Sequence, residues 1–200
     1  MARESQRQRL ERCRRAVEEH PERASSHYNL ALALTRSGRA KEAEEEYRVA
    51  LERDPEMVEA WVNLGGLLLA RWDFPGCLQA TQEAVRLRPD SVVAHYNLGQ
   101  AHLYMNEPEN LLRCNLRVLE LDRDHPAAHY YAAVGHLALG DVSAAQRHLS
   151  RSMELGHQPT KDFLKAIDAA ATRQARQGVS LVELTGADAP EDSSNEKKEE

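Results

Sequence analysis

Cysteine is scarce in this chain of 200 residues, and Cys13, Cys77 and Cys114 lie far apart in no CxxC arrangement. Neither a disulfide framework nor a zinc knuckle is built that way, so a reducing compartment is expected. Aromatic residues make up only 5% of the chain, too few for a core of large rings. The abundant alanine instead suits helices packed closely through small side chains. No apolar run approaches the roughly 18 residues that span a bilayer. The start, MARESQRQRLERCRR, lacks the apolar stretch of a signal peptide, so the expected location is cytoplasmic. A basic surplus is also lacking: 26 Lys and Arg stand against 32 Asp and Glu, for a net charge of −6. That opposes a nucleic-acid partner, whose phosphates are gripped by clustered cations. Finally, there is no Gly-rich phosphate loop, HExxH or nucleophile elbow, and no Ser, Cys or His is spaced to pair with another. A non-enzyme without cofactor is expected.

What the chain does have is repetition. HYNLALAL at His27, WVNLGGLL at Trp61, HYNLGQAH at His95 and HYYAAVGH at His129 recur every 34 residues. A period of this length marks units that cannot bury their own cores and must stack. The units run 24–57, 58–91, 92–125 and 126–159. Within each, positions 4, 7, 8 and 11 fall at helical spacing and define the apolar face of a first helix. A break follows at Ser37-Gly38-Arg39, Trp72-Asp73-Phe74-Pro75, Asn106-Glu107-Pro108 and Gly140-Asp141. Gly ends a helix, and Asp or Asn followed by Pro starts one. Second helices then carry Ala43, Tyr47 and Ala50, and their equivalents 34 residues on, along one face. Pro55 and Pro89 close the first two units.

This pattern resembles the tetratricopeptide repeat, with its W-x2-L-G-x2-Y, A-x3-F, A and P signature. Unit two matches it best through Trp61, Leu64, Gly65, Leu68, Cys77, Thr81, Ala84 and Pro89. The resemblance implies an all-α, right-handed superhelical solenoid of antiparallel helix pairs, with first helices on the concave wall. Residues 1–23 fit the phase as an N-terminal half repeat, with Cys13 and Ala16 placed like Tyr47 and Ala50. Residues 160–177 read as a capping helix begun by Thr160 and stopped by Gly178. Beyond it, GVSLVELTG at 178–186 alternates like an extended strand and is a candidate occupant of the chain's own groove; the acidic remainder to residue 200 reads as disordered.

The face opposite the packing face gives the candidate binding wall. Position 6 is Asn29, Asn63 and Asn97, then Tyr131; position 5 includes Tyr28, Tyr96 and Tyr130; Gln100 and Leu103 follow along the third unit. A carboxamide both donates and accepts, so a row of them can pair with the backbone of an extended peptide whatever its sequence. The competing reading is that these asparagines bond locally to their own helix. In family members that hold acidic chaperone tails, a cationic clamp occupies the groove. Here Tyr28, Leu32, Val93 and Asn97 stand at clamp positions and only Asn63 matches, which argues against that role.

Nine histidines invite a metal reading. His95 with His102, and His129 with His136, are seven residues apart, about 10.5 Å along a helix, too far to share an ion. No metal site is expected. Trp72 and Phe74 in a turn are either partner anchors or packing. The expected function is a scaffold or adaptor gripping an extended, partly apolar segment of another protein. An assembly or secretion chaperone and a self-assembling protein, docked through terminal helices, are the alternatives.

Overall fold

The computed structural model describes residues 5–178. Among them lie ten helices and no strand: α1 (Gln6–Glu19), α2 (Ala24–Arg36), α3 (Ala40–Arg53), α4 (Val58–Ala70), α5 (Phe74–Leu87), α6 (Val92–Tyr104), α7 (Pro108–Leu121), α8 (Pro126–Ala138), α9 (Val142–Glu154) and α10 (Lys161–Gly178). The segment 179–186 and the acidic end lie outside the described residues. The chain divides after Pro159 into two compact units. The second contains α10, whose first turn is capped by Thr160 Oγ1 accepting from the Phe163 N–H.

In the first unit each helix packs on its neighbours in sequence, and α4 also packs on α6. The result is a solenoid of antiparallel helix pairs, α2 with α3 through α8 with α9, in which first helices lie side by side. Local chemistry starts the helices where the stack needs them. Ser5 and Gln8 form a capping box on α1. Asp73, Ser91, His125 and Asp141 accept backbone N–H groups at the starts of α5, α6, α8 and α9.

The turn inside each pair needs one left-handed residue. That residue is Gly38, Trp72, Asn106 and Gly140 in successive units, with φ of 74°, 64°, 57° and 84°. Glycine and asparagine adopt this conformation readily; a tryptophan there carries strain.

Packing within a pair pits position 8 against position 24. Tyr47, Thr81, Asn115 and Leu149 occupy position 24 and all are buried. A Cβ added to Gly65 would stand 2.6 Å from Thr81 Cγ2, and one on Gly99 would stand 2.9 Å from Asn115 Nδ2. The buried Thr81 hydroxyl donates to Cys77 O at 2.7 Å, and Asn115 Nδ2 donates to Leu111 O at 2.8 Å. Two polar residues are thus tolerated where the family pattern has a large ring, because each satisfies a donor on its own helix.

Gly66, one residue on, is different: the only atom within 4 Å of an added Cβ is Asn97 Nδ2, at 3.5 Å. Nothing in the packing demands glycine there. Gly65→Ala is expected to destabilise the fold by about 1–3 kcal/mol through overpacking. Gly66→Ala is expected to stabilise it by about 0.5–1 kcal/mol through helix propensity. Urea unfolding of the two variants measures both.

Candidate functional site

The wall is assembled by one contact repeated at position 4 of each unit. Trp61 Nε1–H donates to Pro55 O at 2.8 Å. His27, His95 and His129 place Nε2 at 2.9, 3.0 and 3.1 Å from the carbonyls of Pro21, Pro89 and Arg123. A carbonyl only accepts, so each imidazole carries its proton on Nε2 and does what the indole does. Every first helix is thereby fastened to the loop that closes the preceding unit.

Histidine also brings a second nitrogen, and the neighbour it meets differs between units. His27 Nδ1 lies 2.6 Å from Glu46 Oε2. A carboxylate and a carbonyl both accept, so this ring serves both only with hydrogen on both nitrogens. In unit four the equivalent of Glu46 is His148, whose Nδ1 lies 3.0 Å from His129 Nδ1, and whose ring stacks at 5.3 Å on His136. Burial, then the nearby His129, His136 and Arg147, push His148 down to about 4. No group of three or more metal-ligating side chains that could hold an ion occurs among the described residues.

Between the first helices lies a cavity of about 400 Å³, lined among others by Leu32 and Arg36 of α2, Asn63 and Gly66 of α4, and Val93 and Asn97 of α6. Val93 is 55% exposed. Asn63 and Asn97 therefore share one site. Asn63 Nδ2 donates to Glu59 O at 2.8 Å and to Tyr28 Oη at 3.0 Å. Both amide hydrogens are so committed, leaving Oδ1 as the group that can accept from a ligand. Tyr28 packs on Tyr47 with ring centroids 6.1 Å apart.

Asn29 lies elsewhere, in a second hollow of about 400 Å³ between α1 and α2 that also contains Arg9 and Arg12. Tyr96, Tyr130 and Tyr131 form a ring cluster, Tyr96 to Tyr131 at 6.1 Å and Tyr130 to Tyr131 at 5.1 Å. Burial pushes Tyr96 up to about 12, so its phenol stays protonated at neutral pH. Leu103 is half-buried. Gln100 is only 6% exposed, and its Nε2 completes no hydrogen bond; its side chain approaches Tyr131. It lies below the surface, whereas Leu32, Gly66 and Val134 at the same position of the other units are half-buried.

Two features escaped sequence reading. The arginines of α1 and α2 converge although they are far apart in the chain. On another face, Leu98, Leu112, Leu116 and Leu139 line an apolar hollow of about 720 Å³; the leucines spaced four apart on α7 were its only signal. Trp72, 69% exposed, packs edge-on against Phe74 and Tyr104, which stack at 4.8 Å. Cys77 and Cys114 are buried, and burial pushes both thiols up to about 11, so they stay protonated at neutral pH.

A sequence profile of the tetratricopeptide repeat family matches residues 10–57 and 36–76. MamA from Desulfovibrio magneticus RS-1 superposes with a TM-score of 0.71 at 21% identity, over 76% of this chain and 86% of that one. Residues 10–76 match tetratricopeptide repeats (TPR), and the fold of the chain is that of TPR proteins. Pseudomonas aeruginosa PilF gives a TM-score of 0.67 at 24% identity over 90% of each chain. YrrB, described as a TPR protein with an unusual peptide-binding site, gives 0.67 at 22% over 81% of each. No curated protein matches. TPR proteins are generally non-enzymatic scaffolds, and the fold supports a protein–protein interaction module. No described helix is long and apolar enough to cross a membrane.

A depressed histidine destabilises the fold as pH falls from the unfolded value near 6.5 toward the folded value near 4, because the unfolded chain takes up the proton first. His148→Glu recreates the His27–Glu46 pair in unit four. At pH 5 it is expected to raise Tm relative to the parent protein by about 2–4 °C, equivalent to about 1 kcal/mol in a chain of this length. Thermal melts at pH 7 and pH 5 check this.

Proposed function

We propose that the concave wall of α2, α4, α6 and α8 holds an extended, partly apolar segment of another protein. The observation that carries this reading is Gly66. A glycine inside a helix costs stability, and here no packing contact requires it; its absent side chain keeps the cavity between Asn63 and Asn97 open. Asn63 Oδ1 accepts a backbone N–H of the segment, and Asn97 from the next unit takes a second backbone group. Leu32, Val62 and Val93 receive apolar side chains on the face turned toward them. The tyrosines Tyr96, Tyr130 and Tyr131 extend the wall with rigid, amphipathic surface of the kind that anchors protein partners. YrrB, a protein of the same fold, is described as having a peptide-binding site, which is consistent with this use of the wall.

Gly66→Leu fills the cavity, and Asn63→Ala with Asn97→Ala removes the polar contacts. Each is expected to weaken binding of peptides selected from a random library by at least about tenfold, the size of one or two good hydrogen bonds. Circular dichroism should show helical content unchanged. Undiminished binding in both variants contradicts the groove.

A further inference from the structure

We propose that an aromatic track on units two to four takes a proline-rich segment of a partner protein in the polyproline II conformation. This rests on the concave wall being a protein-binding surface and names the chemistry of what crosses its later units. The chain holds 6 tyrosines, 2 tryptophans and 2 phenylalanines, and six of these ten rings are neighbours. Trp72 packs on Phe74 at 5.8 Å and on Tyr104 at 5.3 Å, and Phe74 stacks on Tyr104 at 4.8 Å. Tyr104 stands close enough to Tyr96 and Tyr131 to bear on the ionisation of both. Tyr131 in turn packs on Tyr96 and Tyr130 at 6.1 and 5.1 Å. Tyr96, Gln100 and Tyr104 follow one another at four-residue steps along one face of α6. From Tyr96 to Tyr104 that face covers about 12 Å, the length of about four residues in polyproline II.

Both a strained ring and an orphaned donor mark this track as a binding surface. Trp72 holds the left-handed turn position with φ of 64°, where the equivalent residues are Gly38, Asn106 and Gly140, and it remains 69% exposed. A turn that glycine serves without strain has no folding need of an exposed indole. Gln100, between Tyr96 and Tyr104, is buried, yet its Nε2 finds no acceptor, and its side chain is directed at the rings, approaching Tyr131. A buried donor without a partner is costly. A ligand carbonyl entering beside Tyr131 supplies the acceptor that the protein does not.

The donors also decide the class of ligand. The Trp72 indole N–H, the tyrosine hydroxyls and Gln100 Nε2 all offer hydrogens. A proline-rich backbone has few N–H groups of its own, presents its carbonyls outward, and lays its rings on aromatic faces. A β-strand brings an N–H for every carbonyl and is better served by the cavity that holds Asn63. Polyproline II is also what such a segment adopts when free, so little ordering entropy is lost on binding. Stacked rings suit nucleic-acid bases as well. Asp73 and Glu107, in the turns that carry Trp72 and Asn106, oppose a polynucleotide, whereas a neutral or basic protein segment meets no like charge there.

The test is fluorescence anisotropy of labelled decaproline on the full chain, with peptides selected from a random library and oligo-dT as further probes. The proteins compared are the parent, Trp72→Gly, Gln100→Leu and Gly66→Leu. Glycine is the residue of two sister turns and leucine replaces an amide whose donor is unpartnered, so circular dichroism is expected to show the first two variants folded like the parent. Decaproline is expected to bind the parent saturably with a Kd below about 1 mM, and about tenfold more weakly to Trp72→Gly and to Gln100→Leu, with Gly66→Leu unchanged. Decaproline that fails to saturate while the library peptides bind overturns the track and leaves the groove standing; failure of both on the parent overturns both readings. Decaproline binding that is unchanged in Trp72→Gly and Gln100→Leu, or lost in Gly66→Leu alone, also overturns the track. Oligo-dT that binds the parent and is lost with the same two variants marks a general stacking platform and overturns the choice of a proline-rich ligand.

Discussion

A ring N–H reaching back six residues to a backbone carbonyl is the contact on which this stack depends. It recurs at His27, Trp61, His95 and His129. Its acceptors lie just beyond the second helix of the preceding unit, or of the half repeat, where the chain has left regular hydrogen bonding and its carbonyls need partners. Bonding that carbonyl to the next first helix fixes both the spacing and the rotation of that helix. The face it presents to the groove follows. Without this register Asn63 and Asn97 would not share a cavity.

The choice of histidine over tryptophan at three of these positions has consequences of its own. Indole has one polar atom, imidazole two, and at His27 and His129 the spare nitrogen couples the junction to the second helix nineteen residues on. In unit one that partner is Glu46 and in unit four it is His148. The spare nitrogen thus meets a carboxylate in unit one and a second imidazole in unit four, where burial and the neighbouring rings hold His148 down to about 4.

The helices and their packing face were legible in the sequence because the 34-residue period and the 3.6-residue helical period both mark apolar positions. The pairing of Gly65 with Thr81 was hidden, since steric fit between two small residues leaves no periodic trace. Of the candidate site, the asparagine row at position 6 was visible, but its chemistry was not. Asn63 spends both amide hydrogens on Glu59 and Tyr28, so the local reading of these asparagines holds for its donors and the ligand reading keeps only its oxygen. Gln100 fell on the predicted wall by counting but lies buried. The convergence of Arg9 and Arg12 with Arg36 depends on how α1 docks on α2, which residue types alone do not specify.

The most direct test of this account is the stability of His95→Phe beside His95→Trp. Phenylalanine keeps a ring at position 4 but has no N–H for Pro89 O, whereas tryptophan restores the donor that Trp61 supplies in unit two. Urea unfolding is expected to show His95→Phe destabilised by about 1 kcal/mol or more, the value of one lost hydrogen bond with its acceptor left unpaired, and His95→Trp retaining most of the parent stability. A phenylalanine variant as stable as the tryptophan variant would contradict it.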